Sequence, residues 1–382
     1  MPAILLALLL VLAPLAATAQ SGPAADCGPP AAADDGWQVA APEAVGLDPA
    51  TLCAIGPRFK AWTEADVHAV LVIRHGKLVY ERYFAGLDEL VGQPIGAPSS
   101  LEVVNFTAAT KHALRSVTKS ITALILGIEI GKGKIAGVDR PVLAQLPGYA
   151  DLRSPEKEQI TLRDFLTMTQ GLAWNQDPSE DSEEQMDSAP DPARYVLAKP
   201  VVAPPEAVYN YSSGSAMVIA ALLRQATGQS LDTLARVDLF EPLGITDVEW
   251  IRCPSGEPEA AWGLRMRPRD LAKIGQLVLD RGVWRGKEVV PADWIAAATA
   301  PQIKGLGPFS YGYQFWLGRS LWHGREIGWA AGMGKGGQRL FIVPSLDLVA
   351  VLLAGLYDSP IRFAVPLILL NQYILPAVNA PQ

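Results

Sequence analysis

The chain has 382 residues, 49% hydrophobic and 19% charged, a balance that suits a packed globular protein and argues against disorder. With 32 basic against 39 acidic residues the formal charge is -7, so an electrostatic hold on nucleic acid is disfavoured from the start.

In chain order, residues 4–16 (ILLALLLVLAPLA) are almost wholly apolar, and Ala17-Thr18-Ala19 supplies the small residues a signal peptidase reads. Residues 1–19 are therefore expected to be a secretory signal, although no Lys or Arg precedes the apolar run. The run is shorter than the roughly 20 residues a membrane span needs. A periplasmic or secreted protein follows, with no stable membrane insertion after cleavage. Residues 20–36, rich in Ala, Pro, Gly and Asp, read as a mobile linker, with order beginning near Trp37. The cysteines are Cys27, Cys53 and Cys253. In an oxidising compartment the two closest in sequence, Cys27 and Cys53, could pair or could stay reduced, and Cys253 is expected to be a free, buried thiol. No Cys-x-x-Cys or His-x-His spacing offers a metal site.

Val67 to Arg74 and Lys77 to Phe84 are two β-rich runs joined through His75-Gly76, the signature of a hairpin. Next comes His112 to Ser120, followed by the apolar run Ile121 to Ile130. Within it Ile121, Leu124, Ile125 and Ile128 have the spacing of a buried helix. Ile160 to Gly171 carries Thr161 and Asp164 as a capping box, with Gly171 as its stop. The loop Leu172 to Asp191 concentrates acid at Asp177, Glu180, Asp181, Glu183, Glu184, Asp187 and Asp191, either a solvated surface or a rim over a site. Helices are expected at Ser213–Thr227, Leu231–Phe240, Pro268–Asp280 and Pro291–Ala298, with proline starts and glycine stops where capping puts them. From Tyr311 the character turns to strands, at Tyr311–Leu317, Leu321–Ala330, Gln338–Val343 and Asp347–Ala354, before a closing helix at Ile361–Tyr373. Strands at both ends around a helical middle give an α+β fold, an α/β/α sandwich. Its antiparallel sheet is built from both chain ends, flanked by helices, with an inserted all-helical domain. The sandwich part is expected at about 37–125 and 300–375, the helical part at about 126–299, and a tail at 376–382.

Ser116 and Lys119 stand three apart at the start of a helix, so a hydroxyl and an amine share the face of its first turn. The positive helix N-terminus and burial both favour the uncharged amine that can take the serine's proton. Ser-x-x-Lys is short enough to arise by chance. Its second copy, Ser154 to Lys157, lies in a polar stretch with a proline and reads as solvated loop. No Gly-x-Ser-x-Gly elbow exists, which disfavours the α/β-hydrolase arrangement. The histidines, His68, His75, His112 and His323, read as packing or turn residues, with only His112 lying beside Ser116. Gly332 to Gly337 matches Gly-x-Gly-x-x-Gly, but a strand follows where a dinucleotide loop needs a helix. It reads instead as a glycine-rich edge strand against which something, a substrate for example, can lie close. Tyr211 ends a proline-rich loop just before a helix, a corner from which a phenol can enter a cleft.

Ser116-Val117-Thr118-Lys119, Tyr211-Ser212-Ser213 and Lys335-Gly336-Gly337 stand in the order of the three motifs of serine β-lactamases and penicillin-binding proteins, which the chain resembles over about residues 37–375. The tyrosine of the middle motif is similar to the class C branch and its esterase and amidase relatives, including the 6-aminohexanoate-dimer hydrolases. The phrases Leu166 to Trp174 and Tyr311 to Trp316 resemble that family's text too. The resemblance implies that Ser116 is acylated, that Lys119 shares its proton with Tyr211, and that Tyr211 is base toward Ser116 and acid toward the leaving group. The backbone N–H groups of Ser116 and Gln338 would form the oxyanion hole, Lys335 would orient a substrate carboxylate, and Gly337, Ser213 and Trp174 would line the substrate site. No cofactor is implied. Ser213 stands where β-lactamases usually have Asn, and Gly336 where they have Thr, so a small-ester or amide hydrolase is expected rather than an efficient β-lactamase. Tyr209 reads as a core residue. A D,D-peptidase acting on cell-wall peptides, or a β-lactamase, is the alternative enzyme; a catalytically silent binding protein on the same fold is the alternative of another class.

Overall fold

In the computed structural model, which describes residues 27–176 and 182–380, the first hairpin forms where the sequence puts it. Val67–Arg74 (β1) and Lys77–Tyr83 (β2) pair antiparallel across His75 and Gly76, whose φ angles of 50° and 69° give the turn that matches strand twist. The expected signal lies outside the described residues, as do Asp177, Glu180 and Asp181 of the acidic loop.

The chain's far end supplies Trp316–Trp322 (β3), Arg325–Gly334 (β4), Gln338–Val343 (β5) and Leu348–Ala354 (β6). Strand β6 pairs with β1, so one nine-stranded sheet runs β2-β1-β6-β5-β4-β3 through its middle. Short strands close both edges; among the described residues only Gln38–Val39 runs parallel to its neighbour. Strands β3 and β4 sit further along the chain than apolar content suggested, whereas β5 spans the expected Gln338–Val343 and β6 starts one residue after the expected Asp347. The chain turns at Gly312–Phe315 and again at His323-Gly324, where φ values of 45° and 75° repeat the hairpin turn of His75-Gly76. The glycine-rich segment is also not an edge strand: β4 lies between β3 and β5. Its pairing with β3 stops at Ala331, however, so Gly332–Gly334 outrun that neighbour.

Strands β1 and β6 are buried on both faces, which their near-continuous apolar sequences require. On one face pack Val117–Gly131 (α1), Gly214–Thr227 (α2) and the rest of the helical middle, and on the other the helices of the two chain ends. Pro268–Leu279 (α3) lies within the stretch expected to be an all-helical insertion, yet it packs on β1, β5 and β6. The helix Leu162–Thr167 keeps its Thr161/Asp164 capping box but stops at left-handed Met168, before Gly171. The closing helix is displaced to Ala364–Ala377. The later half of the expected mobile linker is held: Cys27 is bonded to Cys53, and Asp35 pairs with Arg269 at 2.9 Å. Cys253 is a buried free thiol. Among the described residues no helix is long and apolar enough to cross a membrane.

Candidate active site

Helix α1 begins after Arg115, a non-glycine residue at φ 50° whose guanidinium is held by Glu89 and lies over the rings of Trp262 and Tyr357. Ser116 occupies the N-cap position without capping, so its hydroxyl is left for other partners. One turn on, the buried Lys119 places Nζ 3.0 Å from Ser116 Oγ, 3.0 Å from Ser213 Oγ and 3.2 Å from the Ala261 carbonyl. The spacing of Ser116 and Lys119 thus becomes contact. The mount is rigid because β4 lies against it. A Cβ on Gly332 would stand 2.9 Å from Val117 Cγ1, and one on Gly334 2.4 Å from the Leu114 carbonyl oxygen. The backbone's close neighbour is therefore the start of α1.

Tyr211 arrives from the loop before α2. Its ring centroid is 5.0 Å from Lys119 Nζ and 5.7 Å from the Trp316 ring. Tyr209 packs on Tyr311 at 5.4 Å with its phenol buried, and burial raises its pKa. Ser213 is buried at the start of α2 and bonds both Lys119 and Gln176. Trp174 stands one step back, its indole N–H donating to Gln176 Oε1 at 2.9 Å.

The third motif is arranged differently from expectation. Lys335, Gly336 and Gly337 form the turn between β4 and β5, and the half-exposed Lys335 pairs with Asp358 at 3.2 Å. The ion-pair partner of Lys335 among the described residues is therefore Asp358 rather than a group of the serine, lysine and tyrosine, and the turn is itself bridged to Leu356 through Gly336. Gly337 takes φ 93° in that turn. The Gln338 side chain is buried and ties the turn to β6, through Nε2 to Ala354 O at 2.7 Å and Oε1 from Ala354 N at 3.1 Å. Its backbone pairs with Gly334, which places it on β5, one strand over from the Gly332–Gly334 stretch that touches the start of α1.

Sequence reasoning missed Gln176, Glu259 and Arg339. Arg339 is buried on β5, bonded to the carbonyls of Gly334 and Gln338, and burial lowers its pKa to about 10. Glu259 is buried and accepts from the N–H groups of Ala261 and Trp262, which fixes the turn presenting the Ala261 carbonyl to Lys119. Asp187, expected in a solvated or rim loop, is buried and receives the Trp262 indole at 3.1 Å. Burial, with repulsion from Glu183 and, at Asp187, from Glu259, pushes Asp187 and Glu259 well above the usual carboxylate range, while Lys119 pulls both down. None of these has a local motif; each acquires meaning from its neighbours in space. His112 is buried against His68 at 2.8 Å, and burial, with His68 behind it, lowers its pKa to about 3, a packed pair rather than a base for Ser116. Among the described residues no cluster of His, Cys, Asp or Glu is placed to hold a metal ion.

A helix-mounted serine in contact with a buried lysine, a tyrosine ring beside that amine, and a sheet drawn from both chain ends define the class of serine hydrolases with β-lactamase-like architecture. The family comparison agrees: the β-lactamase family model matches residues 59–362, and the chain belongs to that family. It is similar to a 6-aminohexanoate-dimer hydrolase of Paenarthrobacter ureafaciens, 24% identical over 327 residues, covering 78% of this chain and 75% of that protein. It is also similar to esterase EstB of Burkholderia gladioli, 26% identical over 201 residues, covering 50% of this chain and 47% of that one. In fold it is similar to the octameric penicillin-binding protein homologue of Pyrococcus abyssi, with a TM-score of 0.61 at 19% identity over 85% of this chain and 78% of that one.

Proposed function

We propose that the protein hydrolyses small esters or amides through an acyl-enzyme on Ser116. The carrying observation is that Lys119 Nζ lies 3.0 Å from Ser116 Oγ with the Tyr211 ring beside the same amine. Ser116 Oγ attacks the acyl carbon, and its proton passes to the Lys119–Tyr211 pair. Collapse breaks the bond to the leaving oxygen or nitrogen, which takes that proton from Tyr211. Water then repeats the sequence on the acyl-enzyme, releasing the acid and returning the proton to Ser116. The first oxyanion donor is the Ser116 N–H. The second is a backbone N–H of the Gly332–Gly334 stretch, which lies against α1; Gln338 is a strand further away. Names among the relatives, an esterase and a 6-aminohexanoate-dimer hydrolase, support this substrate class. The Cys27–Cys53 bond supports a periplasmic or secreted location.

A fluorophosphonate probe and a panel of p-nitrophenyl esters and short amides form the test. Wild type is expected to be labelled at Ser116 and to turn over part of the panel, and Ser116→Ala to do neither. Equal labelling of both proteins would end the reading.

A further inference from the structure

Strand β3 begins at Trp316, which pairs with Ala331 on β4. The next residues of β4, Gly332–Gly334, run on without a partner from β3 and lie against the start of α1. Trp316 therefore stands where the sheet opens beside the nucleophile. Four rings pack on its indole: Tyr311 with centroids 5.0 Å apart, Tyr211 at 5.7 Å, Phe309 at 6.1 Å and Tyr209 at 6.2 Å. For all that company the indole is only half-buried, and its N–H has no acceptor among the described residues. The buried Trp329 on β4, by contrast, gives its N–H to Ser320 Oγ at 3.0 Å. A tryptophan closed into a core finds such a partner; one held by rings with an edge left open faces a cleft.

In the reaction proposed above the leaving oxygen or nitrogen takes its proton from Tyr211, so it has to come within hydrogen-bond reach of that hydroxyl. The acyl carbon at that moment is bonded to Ser116 Oγ, on the side of Lys119, whose Nζ is 3.0 Å from that oxygen and 5.0 Å from the Tyr211 ring centroid. What the leaving atom carries extends past Tyr211, away from the acyl carbon. Two rings flank Tyr211, Tyr311 at 6.5 Å and Trp316 at 5.7 Å. Tyr311 is 1% exposed and closed to a ligand, which leaves Trp316 as the accessible face. The apolar wall continues outward: Leu306, 67% exposed, stands on the loop that leads to Phe309, and Val208, 53% exposed, precedes Tyr209.

We propose that Trp316 is a specificity-determining residue that receives the leaving group, and that the alcohols or amines this hydrolase releases best carry an aryl ring. A flat substituent can stack on the indole and adds the aromatic contact to the apolar area it buries, whereas a one- or two-carbon leaving group gains neither. The inference rests on the acyl-enzyme reading for the direction in which the leaving group departs.

The test compares the ethyl and 2-phenylethyl esters of one short acid, butyrate. Both give the same acyl-enzyme and release alcohols of similar acidity, so the ratio of their kcat/KM values reads the leaving group alone. Wild type is expected to favour the 2-phenylethyl ester by about tenfold or more, Trp316→Ala to bring the ratio below about threefold, and Trp316→Phe to restore most of it. Trp316→Leu, which keeps bulk without a ring, is expected to lower the ratio as well and serves if the Ala variant does not melt cooperatively. A wild-type ratio near one overturns the proposal. So does a ratio kept in the Ala and Leu variants while both esters slow together, since a merely structural tryptophan acts on both alike. A larger effect of Trp316→Ala on the preference between ethyl acetate and ethyl phenylacetate would put the ring against the acyl group and overturn it too. Failure of fluorophosphonate to label wild-type Ser116 removes the acyl-enzyme reading instead. Saturation-transfer NMR of 2-phenylethanol with wild type and Trp316→Ala then decides the inference, loss of transfer in the variant upholding it and equal transfer ending it.

Discussion

Arg115 holds a left-handed backbone without being glycine, a conformation that surrounding structure has to enforce, and it stands immediately before Ser116. Glu89 and the rings of Trp262 and Tyr357 supply that enforcement. At this scale Ser116, Lys119 and Tyr211 were readable because motif order brought them together before any geometry was known. Lys335 was readable too and misplaced, since a three-letter motif does not reveal whether it ends inside a strand or in the turn beyond it. Lys335→Ala is accordingly expected to change kcat/KM on the best ester by less than about threefold, under 1 kcal/mol, as an exposed ion pair warrants, whereas Tyr211→Phe should lower it by about 100-fold or more. Equal losses from both substitutions would return Lys335 to the site. Asp187 makes a second prediction. Its pKa in the folded protein is raised, so between the ordinary carboxylate range and that raised value the unfolded chain holds fewer protons, and stability falls as pH climbs. Asp187→Asn should flatten the fall and be more stable than wild type at pH 9 by on the order of 1–3 kcal/mol, read from urea unfolding across pH 5–9.

Among the elements, β4 decides where the nucleophile stands. Gly332 and Gly334 let the strand touch α1, and a methyl at 334 would collide with backbone rather than with a side chain that could swing away. Gly334→Ala is expected to destabilise the protein by about 1–3 kcal/mol and to reduce Ser116 labelling, because α1 must shift to make room. Gly328→Ala, on the same strand with open space around its Cβ, is the control and should leave labelling unchanged. Comparable losses in both would mean that the strand resists any side chain and that contact with α1 is irrelevant. Strand existence was legible here, and so were the limits of β1 and β5, while those of β3 and β4 were not. Apolar content alone cannot separate a strand from the turn that feeds it, and His323-Gly324, inside the expected strand Leu321–Ala330, forms the same turn as His75-Gly76. The acidic loop was open to two readings because charge along a sequence says nothing about which carboxylates end up buried; Asp187 did.

For the whole molecule, topology was legible from the order of patterns: strands at both ends and helices between them allow few arrangements once the end strands must share a sheet. The place of α3 was not, since a helix carries no mark of whether its apolar stripe meets other helices or a sheet. The pairing of Cys27 with Cys53 had been left open by sequence and closes a loop across a separation of 26 residues. Replacing both with serine should lower stability by about 3 kcal/mol through the freedom regained by the unfolded chain. The measurement is a denaturation midpoint with and without reductant; an unchanged midpoint in the double variant would show that the bond adds nothing to the fold.

The pairing of β1 with β6 also orders events in time, because Arg74 faces Leu348 across that seam. While such a polypeptide is being synthesised, its first hairpin has to wait for nearly all the rest before finding its neighbour, and the glycines that seat the serine emerge late as well. A truncated or stalled product ending before β4 would lack the glycine stretch that lies against the start of α1 and the strand that joins the first hairpin to the sheet.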